Sequence, residues 1–316
     1  MHLFVLPGRI NMDKPIVSVI VCTYNRCNIF PICLNSLANQ KDVDKSLYEV
    51  IIINNNSTDN TQKIASQFAN RNSNFRVFIE KKQGLSHSRN RGWKEARGEY
   101  IAYIDDDARA DSRWILKMIN FIKKHPDILA FGGPYYGFSL KSFPKWFPQE
   151  YGTKQLSKYQ RKLRKGKEYL SGTNMVFHKS LFLKFGGFNP NFGMSGDNLG
   201  YGEEPEFQNR LYNGKVDIYY NPDLKVEHLI ASYKQRLSWL LKSSYCMGIA
   251  NQKKKARNDY NIKDFINAWL NFFIQILLQV QKKIPFKRKV YYCAFPLMFE
   301  LGKFHYYIRR KITSVR

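Results

Sequence analysis

The sequence predicts an α/β fold with a mostly parallel central sheet, followed by a helical C-terminal extension. Three observations predict it. Short apolar runs alternate with segments of helical period through the first half of the chain. The leading runs are apolar on both faces, as in parallel sheets covered by helices. Beyond Ile230 the strands give way to apolar helical segments edged with lysine.

The first strand is Ile16-Val-Ser-Val-Ile-Val-Cys-Thr23, and Tyr24-Asn25-Arg26 turns the chain. Ile29 to Gln40 carries Ile29, Ile32, Cys33 and Leu37 at helical spacing. Tyr48 to Ile53 is a second buried strand, ending in Asn54-Asn-Asn-Ser-Thr-Asp59. Helix-capping residues crowd that turn, and Ile64, Ala65 and Phe68 give the next helix a buried stripe. Phe75 to Ile79 is a third strand, and Gly84 to Ala96 a loop and helix. Gly98-Glu-Tyr-Ile-Ala-Tyr-Ile-Asp105-Asp106-Asp107 is a strand that ends abruptly in acids. Trp114 to His125 is amphipathic, and Ile128 to Gly132 is a strand. Pro134 to Lys167 has no period, and a stretch that long is functional or mobile. Ser171 to Phe177 returns to strand, and Gly186 to Tyr201 is rich in glycine. Gly202-Glu-Glu-Pro-Glu-Phe207 opens a helix, with Pro205 expected at its first position. Val216 to Tyr220 and Leu224 to Val226 are short strands leading to Glu227-His228.

The C-terminal stretch has its own character. Leu237, Leu240, Leu241 and Tyr245 mark a helix, followed by the basic run Lys253 to Arg257. Phe265 to Gln281 holds about 17 uncharged residues, at the lower edge of a membrane span. Asn267, Asn271, Gln275 and Gln279 form a narrow polar stripe on it. Lys282, Lys283, Lys287, Arg288 and Lys289 follow and suit anionic headgroups, with a dimerisation helix or a second core as the alternative. Val290 to Ile308 is broken by Pro296, Glu300 and Lys303, which argues against a full span. The expected division is 1–230 for the α/β domain and 231–316 for a basic, membrane-associating helical region.

The net charge of +26 over 316 residues implies an anionic partner. Nucleic acid, a phosphorylated small molecule and an acidic membrane surface all qualify, but no recognised nucleic-acid module is present. The 5 cysteines are odd in number and form no CxxC pair, which points to a reducing compartment without disulfides or zinc. Met1 to Asn11 is too short and broken for a secretory signal, and Met12 is a plausible true start.

Three adjacent acids at the end of a buried strand repel one another. A cation among them relieves that repulsion, and hard oxygen ligands suit Mg²⁺ or Mn²⁺ shared with phosphates. A solvated acidic turn is the alternative. In open α/β sheets ligands bind beyond the carboxyl ends of the strands. Thr23–Arg26, Asn54–Asp59 and Asp105–Asp107 all fall at those ends.

With these turns in place, the chain resembles family 2 glycosyltransferases of the GT-A fold, a Rossmann-like α/β/α sandwich. The resemblance runs from about Val17 to His228 and rests on six pieces in order. They are Val-Ser-Val-Ile-Val-Cys-Thr-Tyr-Asn-Arg, Asn-Asn-Asn-Ser-Thr-Asp, Gly84-Leu-Ser-His-Ser-Arg-Asn-Arg-Gly92, Asp105-Asp-Asp107, Gly172-Thr-Asn174 and Gly202-Glu-Glu204. It implies that Thr23, Tyr24 and Arg26 cradle the nucleotide. Asn55 stands where the family usually has a base-binding acid, although turn chemistry also explains Asn54–Asn56. Asp105 and Asp107 match the family's DxD, with Asp107 on the metal, Asp105 on the ribose or metal and Asp106 on the donor side. His228 matches a histidine that completes the metal shell, or is structural. Arg89 contacts phosphate or is a solvated helix charge. Glu204 matches the catalytic base, usually Asp in Gly-Glu-Asp, with Glu203 as the alternative base. Asn174 lines the acceptor side or is hydrogen-bonded within its strand.

The implied activity is inverting, metal-dependent transfer from a nucleoside diphosphate sugar, a UDP-sugar by resemblance, using Mn²⁺ or Mg²⁺. The acceptor is a glycan or lipid-linked acceptor of surface polysaccharide synthesis, the place is the cytoplasmic face of the cell membrane, and a homo-oligomer is among the candidate partners. Rival readings are a non-catalytic sugar-nucleotide-binding protein and a sugar nucleotidyltransferase. The nucleotidyltransferase needs a glycine-rich, lysine-bearing loop, and Thr23-Tyr-Asn-Arg-Cys27 lacks it.

Overall fold

The computed structural model describes residues 14–196, 198–255 and 259–313. Met1–Asn11, the candidate start at Met12 and the end of the basic run at Arg257 lie outside the described residues. The chain divides into two compact units. One comprises the chain up to Phe138, Gly152–Asn191 and Glu203–Leu229, and the other Ser139–Tyr151, Phe192–Gly202 and Ile230–Arg316.

The first unit begins with β1 (Val17–Thr23), α1 (Phe30–Ala38), β2 (Tyr48–Asn54), α2 (Thr61–Arg71), β3 (Phe75–Ile79), α3 (Leu85–Glu95) and β4 (Tyr100–Asp105). It continues with β5 (Ala108–Ala110), α4 (Trp114–Lys124), β6 (Ala130–Gly132), β7 (Tyr135–Phe138) and β8 (Arg161–Lys162). Then come β9 (Met175–His178), α5 (Lys179–Phe185), α6 (Glu203–Asn213), β10 (Tyr219–Tyr220) and β11 (Val226–Leu229). Among the described residues an 8-stranded sheet runs in the order β3-β2-β1-β4-β9-β6-β10-β8. The β3-β2-β1-β4 half is parallel, and β9 enters antiparallel to both β4 and β6. A smaller sheet orders as β5-β11-β7.

Alternation along β1 explains the layers. Val17, Val19 and Val21 pack in one core with Phe30, Leu34 and Leu37 of α1 and Trp114, Ile115 and Met118 of α4. Ile20 faces the other core, with Leu181 and Phe182 of α5 and Phe207 and Leu211 of α6. β2 is buried along its whole length, as a strand covered on both faces must be. α3 lies so close to β1 that a Cβ on Gly92 would sit 2.4 Å from Ile20 Cγ2. The result is a helix–sheet–helix sandwich with its carboxyl rim at Thr23, Asn54 and Asp105.

Several boundaries differ from expectation. The aperiodic stretch after Pro134 contains β7 and β8, which are ordered by partners far along the chain. The strand expected at Leu224–Val226 runs instead from Val226 to Leu229, so His228 sits within it. α6 begins at Glu203, which makes Pro205 its third residue and leaves both glutamates in the first turn.

In the second unit α7 (Leu237–Lys253), α8 (Ile262–Val280) and α9 (Phe286–Thr313) pack together. Glycines set the approach of α7 to α9: a Cβ on Gly248 would meet the Phe299 carbonyl and one on Gly302 the Tyr245 carbonyl. Pro296 lies inside α9 without ending it. Among the described residues no helix is long and apolar enough to cross a membrane.

Candidate active site

Three turns meet at the carboxyl rim of the first unit. In the β1–β4 ladder Asp105 stands opposite Cys22, and in the β1–β2 ladder Thr23 stands opposite Asn54. Side chains stitch the first two turns together. Ser57 Oγ accepts from Asn25 N at 2.9 Å, Thr61 Oγ1 from Arg26 N at 2.9 Å and Asp59 Oδ2 from Cys27 N at 3.2 Å. Asn25 and Asn56 take positive φ there, at 52° and 60°. Asparagine tolerates that conformation, so turn chemistry is part of why asparagines crowd these loops.

Asn55 is occupied by the fold. Its amide nitrogen donates to the Glu80 and Lys82 carbonyls, and its oxygen accepts from Gly84 N at 2.7 Å. It therefore fastens the segment leading into α3, where Gly84 adopts φ 138°. Thr23 is buried, and Tyr24 and Arg26 are half-buried at the same edge.

The acids and His228 converge. The β5–β11 ladder sets His228 opposite Ala108, and Leu229 N donates to the Asp107 carbonyl at 2.8 Å. His228 Nε2 consequently lies 3.1 Å from Asp107 Oδ1 and 3.9 Å from Asp105 Oδ2. One ligand atom from each of Asp105, Asp107 and His228 falls within 4.8 Å of the others. Two carboxylates and an imidazole fit a hard-to-borderline divalent cation such as Mn²⁺. Burial, and then the neighbouring Asp107 carboxylate, push Asp106 up to about 7, although the Arg26 guanidinium and Thr23 hydroxyl oppose it. Burial likewise raises Asp105, against the pull of Arg89 and His228. Such a crowd of acids is one that a cation would relieve.

Arg89 links this group to the glutamates of α6. It is 2% exposed, so it is a buried ion and not the solvated helix charge that its sequence context allowed. Its Nη1 lies 2.8 Å from Glu203 Oε1, and its Nη2 lies 3.6 Å from Glu204 Oε1 and 3.7 Å from Asp105 Oδ1. The rings of Tyr103 and Phe188 lie 5.9 and 5.4 Å from the guanidinium. Gly172 N also donates to Glu204 Oε1 at 3.1 Å. Gln208, one turn further along α6, exchanges two hydrogen bonds with the Leu170 backbone and fixes the helix against that loop.

The two adjacent glutamates are electrostatically distinct. Burial, and then the Glu204 charge, push Glu203 up to about 8. Burial acts on Glu204 too, but the Arg89 guanidinium and hydrogen bonds from Glu203 and Gly172 outweigh it and hold the carboxyl below its ordinary value. At neutral pH the pair is one protonated acid beside one carboxylate, the arrangement that separates a proton donor from a base.

Asn174 stands apart. It is 0% exposed, and its amide donates to the Pro134 and Leu224 carbonyls and accepts from Trp114 Nε1 at 3.2 Å. Its side chain is spent inside the fold. Lys154, which sequence reasoning did not single out, lies within the electrostatic reach of Glu204: burial lowers it while Glu204 and Glu168 pull it back up, and its Nζ donates to the Tyr169 carbonyl at 2.6 Å. It lies in the aperiodic stretch, where no pattern singles out one lysine among many. Gly172 was visible only within its motif; the structure gives the reason for the glycine, since a Cβ there would sit 2.1 Å from Arg89 Nη2 and 2.6 Å from Glu204 Oε1.

Comparison with known proteins bears on the family and the fold. The sequence profile described as glycosyl transferase family 2 matches residues 18–186. The glucosyl-dolichyl phosphate glucuronosyltransferase of Haloferax volcanii is 25% identical over 245 residues, covering 75% of this chain and 76% of that one. Two other curated relatives, the putative glycosyltransferase EpsH of Bacillus subtilis and the glycosyltransferase AglE of Haloferax volcanii, are matched over only 33% and 36% of their own length. Among solved structures, the Pyrobaculum calidifontis mannosyltransferase PcManGT in complex with GDP-Man and Mn²⁺ superimposes with a TM-score of 0.63 at 14% identity. That match covers 95% of this chain and 90% of the other. S. aureus TarS 1–349 in complex with UDP-GlcNAc gives 0.57 at 19% identity, over 92% and 89% of the two chains. The chain has the GT-A fold and belongs to glycosyl transferase family 2.

Proposed function

We propose that this protein is an inverting glycosyltransferase that moves a sugar from a nucleoside diphosphate sugar to a glycan or lipid-linked acceptor. The observation that carries the reading is the shared guanidinium: Arg89 contacts both Glu204, held ionised, and Asp105, the first acid of the DxD. A base and a donor-holding acid are thereby fixed on one rigid group. Glu204 accepts the proton of the acceptor hydroxyl as that oxygen attacks the anomeric carbon. The bond from that carbon to the diphosphate breaks, its electron pair leaves with the nucleoside diphosphate, and the configuration inverts. Glu203 stays protonated and hydrogen-bonded to Glu204, which keeps a single carboxylate facing the reaction.

Asp105, Asp107 and His228 would hold a divalent cation, Mn²⁺ in preference to Mg²⁺ because one ligand is imidazole. Bound there, such an ion supplies positive charge against the departing diphosphate. Thr23, Tyr24, Arg26 and Asp106 line the donor side, and Asn55 serves it through the loop that it fastens. A UDP-sugar is the favoured donor on the likeness to TarS, although the mannosyltransferase neighbour holds GDP-Man. A lipid-linked glycan of surface polysaccharide synthesis is the favoured acceptor, in line with the dolichyl phosphate in the name of the Haloferax relative. With such an acceptor, the proposed place of action is the cytoplasmic face of the cell membrane.

The test is a screen of UDP- and GDP-sugars with Mn²⁺ or Mg²⁺, following release of nucleoside diphosphate. Glu204→Gln lowers turnover by about 10²–10⁴-fold with donor binding retained. Full turnover in Glu204→Gln removes Glu204 as the base, and a donor that binds to wild type without turnover favours the non-catalytic reading.

A further inference from the structure

α8 is docked with its apolar side outward. Its inner face meets α9: the Phe265 ring lies 4.7 Å from Phe304, Asp264 lies 3.8 Å from Lys303, and Gln279 is 4% exposed. Gln275 and Gln279 of the polar stripe hydrogen-bond each other at 3.1 Å on this protected side. Facing solvent are Ile266, Trp269, Leu270, Phe273, Ile276 and Leu277, with Ile262 and Val280 extending the row at both ends. Their spacing of three and four residues places them on one stripe. Over 19 residues the stripe is about 28 Å long. Exposure reaches 71% at Leu277 and 57% at Phe273. A helix of a water-exposed domain ordinarily turns such a stripe inward, and an apolar row of this size in solvent marks a binding surface.

We infer that this face of α8 lies in the surface of an anionic lipid bilayer, parallel to its plane. Charge selects that occupant. No ionisable residue lies between Asp264 and Lys282, so the flanking charges that fix the register of a paired helix are missing. The exposed lysines Lys282, Lys283 and Lys287 follow directly on the stripe, with the exposed ring of Phe286 among them. A second copy of a chain with net charge +26 is repelled, whereas anionic headgroups are attracted. Arg288 and Lys289 are not part of this surface element. Arg288 donates to the Lys145, Trp146 and Phe147 carbonyls, and Lys289 to the Val280 carbonyl at the end of α8. Apolar side chains including tryptophan on one face, with lysines at its end, are the composition of helices that lie in the interface.

This inference goes beyond the transferase reading and is tested without donor, metal or turnover, so either can fail alone. The full chain is sedimented with vesicles of phosphatidylcholine alone or with about a third phosphatidylglycerol, and its mass in solution is measured by light scattering. The expected result is at least about tenfold tighter partition onto the anionic vesicles. Leu277→Asp abolishes binding to both. Joint replacement of Lys282, Lys283 and Lys287 by Gln weakens binding to the anionic vesicles by about 100-fold, at about fivefold per lysine, and leaves phosphatidylcholine binding unchanged. The inference is overturned if wild type ignores anionic vesicles or if Leu277→Asp binds like wild type. It is equally overturned by a dimer that Leu277→Asp converts to monomer, because a second copy would then cover the stripe.

Discussion

Replacing Gly172 by alanine tests the link between Arg89 and Glu204 with one methyl group. The backbone of Gly172 lies outside the left-handed region, so alanine meets no conformational strain there. Its Cβ, however, would stand 2.1 Å from Arg89 Nη2 and 2.6 Å from Glu204 Oε1. Restoring an ordinary contact of 3.4 Å moves the guanidinium by about 1.3 Å. Arg89 has little room to yield, because Glu203 holds its other nitrogen at 2.8 Å and Phe188 lies beside it. The methyl group therefore separates Arg89 from Glu204 and displaces the proposed base. A misplacement of about 1 Å at a reacting group costs on the order of 100-fold in rate. The assay is nucleoside diphosphate release under saturating donor, with donor affinity measured separately by calorimetry. Turnover is expected to fall by about 100-fold while donor affinity changes by less than about threefold. Turnover within twofold of wild type would refute the reasoning, since the clash would then touch nothing that the reaction uses.

Two further outcomes concern protons. Because Arg89 and the Gly172 amide hold Glu204 below its ordinary value, the acid limb of the pH–rate profile lies below the usual glutamate pKa of about 4.3. Arg89→Met removes that hold, burial then raises Glu204, and the limb moves to higher pH. Glu203 is the opposite case: pushed up to about 8, it holds its proton in the folded state over a range where the unfolded chain has lost it. Its contribution to stability is full below about pH 4.3 and is lost as pH rises through about 8, so Tm falls across that window and Glu203→Gln flattens the decline.

What could be read from the sequence follows from how local each signal is. The strand ending in Asp105–Asp107 is contiguous, so its burial and its acids are adjacent letters, and the rim at Thr23 and Asn54 follows from the parallel alternation. His228 and Asp107 are far apart in sequence, and only the β5–β11 pairing brings them to 3.1 Å. Arg89 was harder still. A helical arginine is buried or solvated according to what faces it, and its partners Glu203 and Glu204 lie more than a hundred residues away. Asn55 shows the converse, a motif position whose amide the structure spends on the loop from Glu80 to Gly84. The same limit governs α8. Periodicity gives it an apolar stripe and a polar one, but which residues meet protein is decided by α9: Gln279 is buried, whereas Asn267 and Asn271 of the same polar stripe stay exposed. A helix packed through Phe265 and Gln279 leaves Phe273 and Leu277 to the surroundings. For an acceptor carried on lipid, that orientation is what a transferase working at a bilayer requires, because the face without a protein partner is the face that lipid can cover.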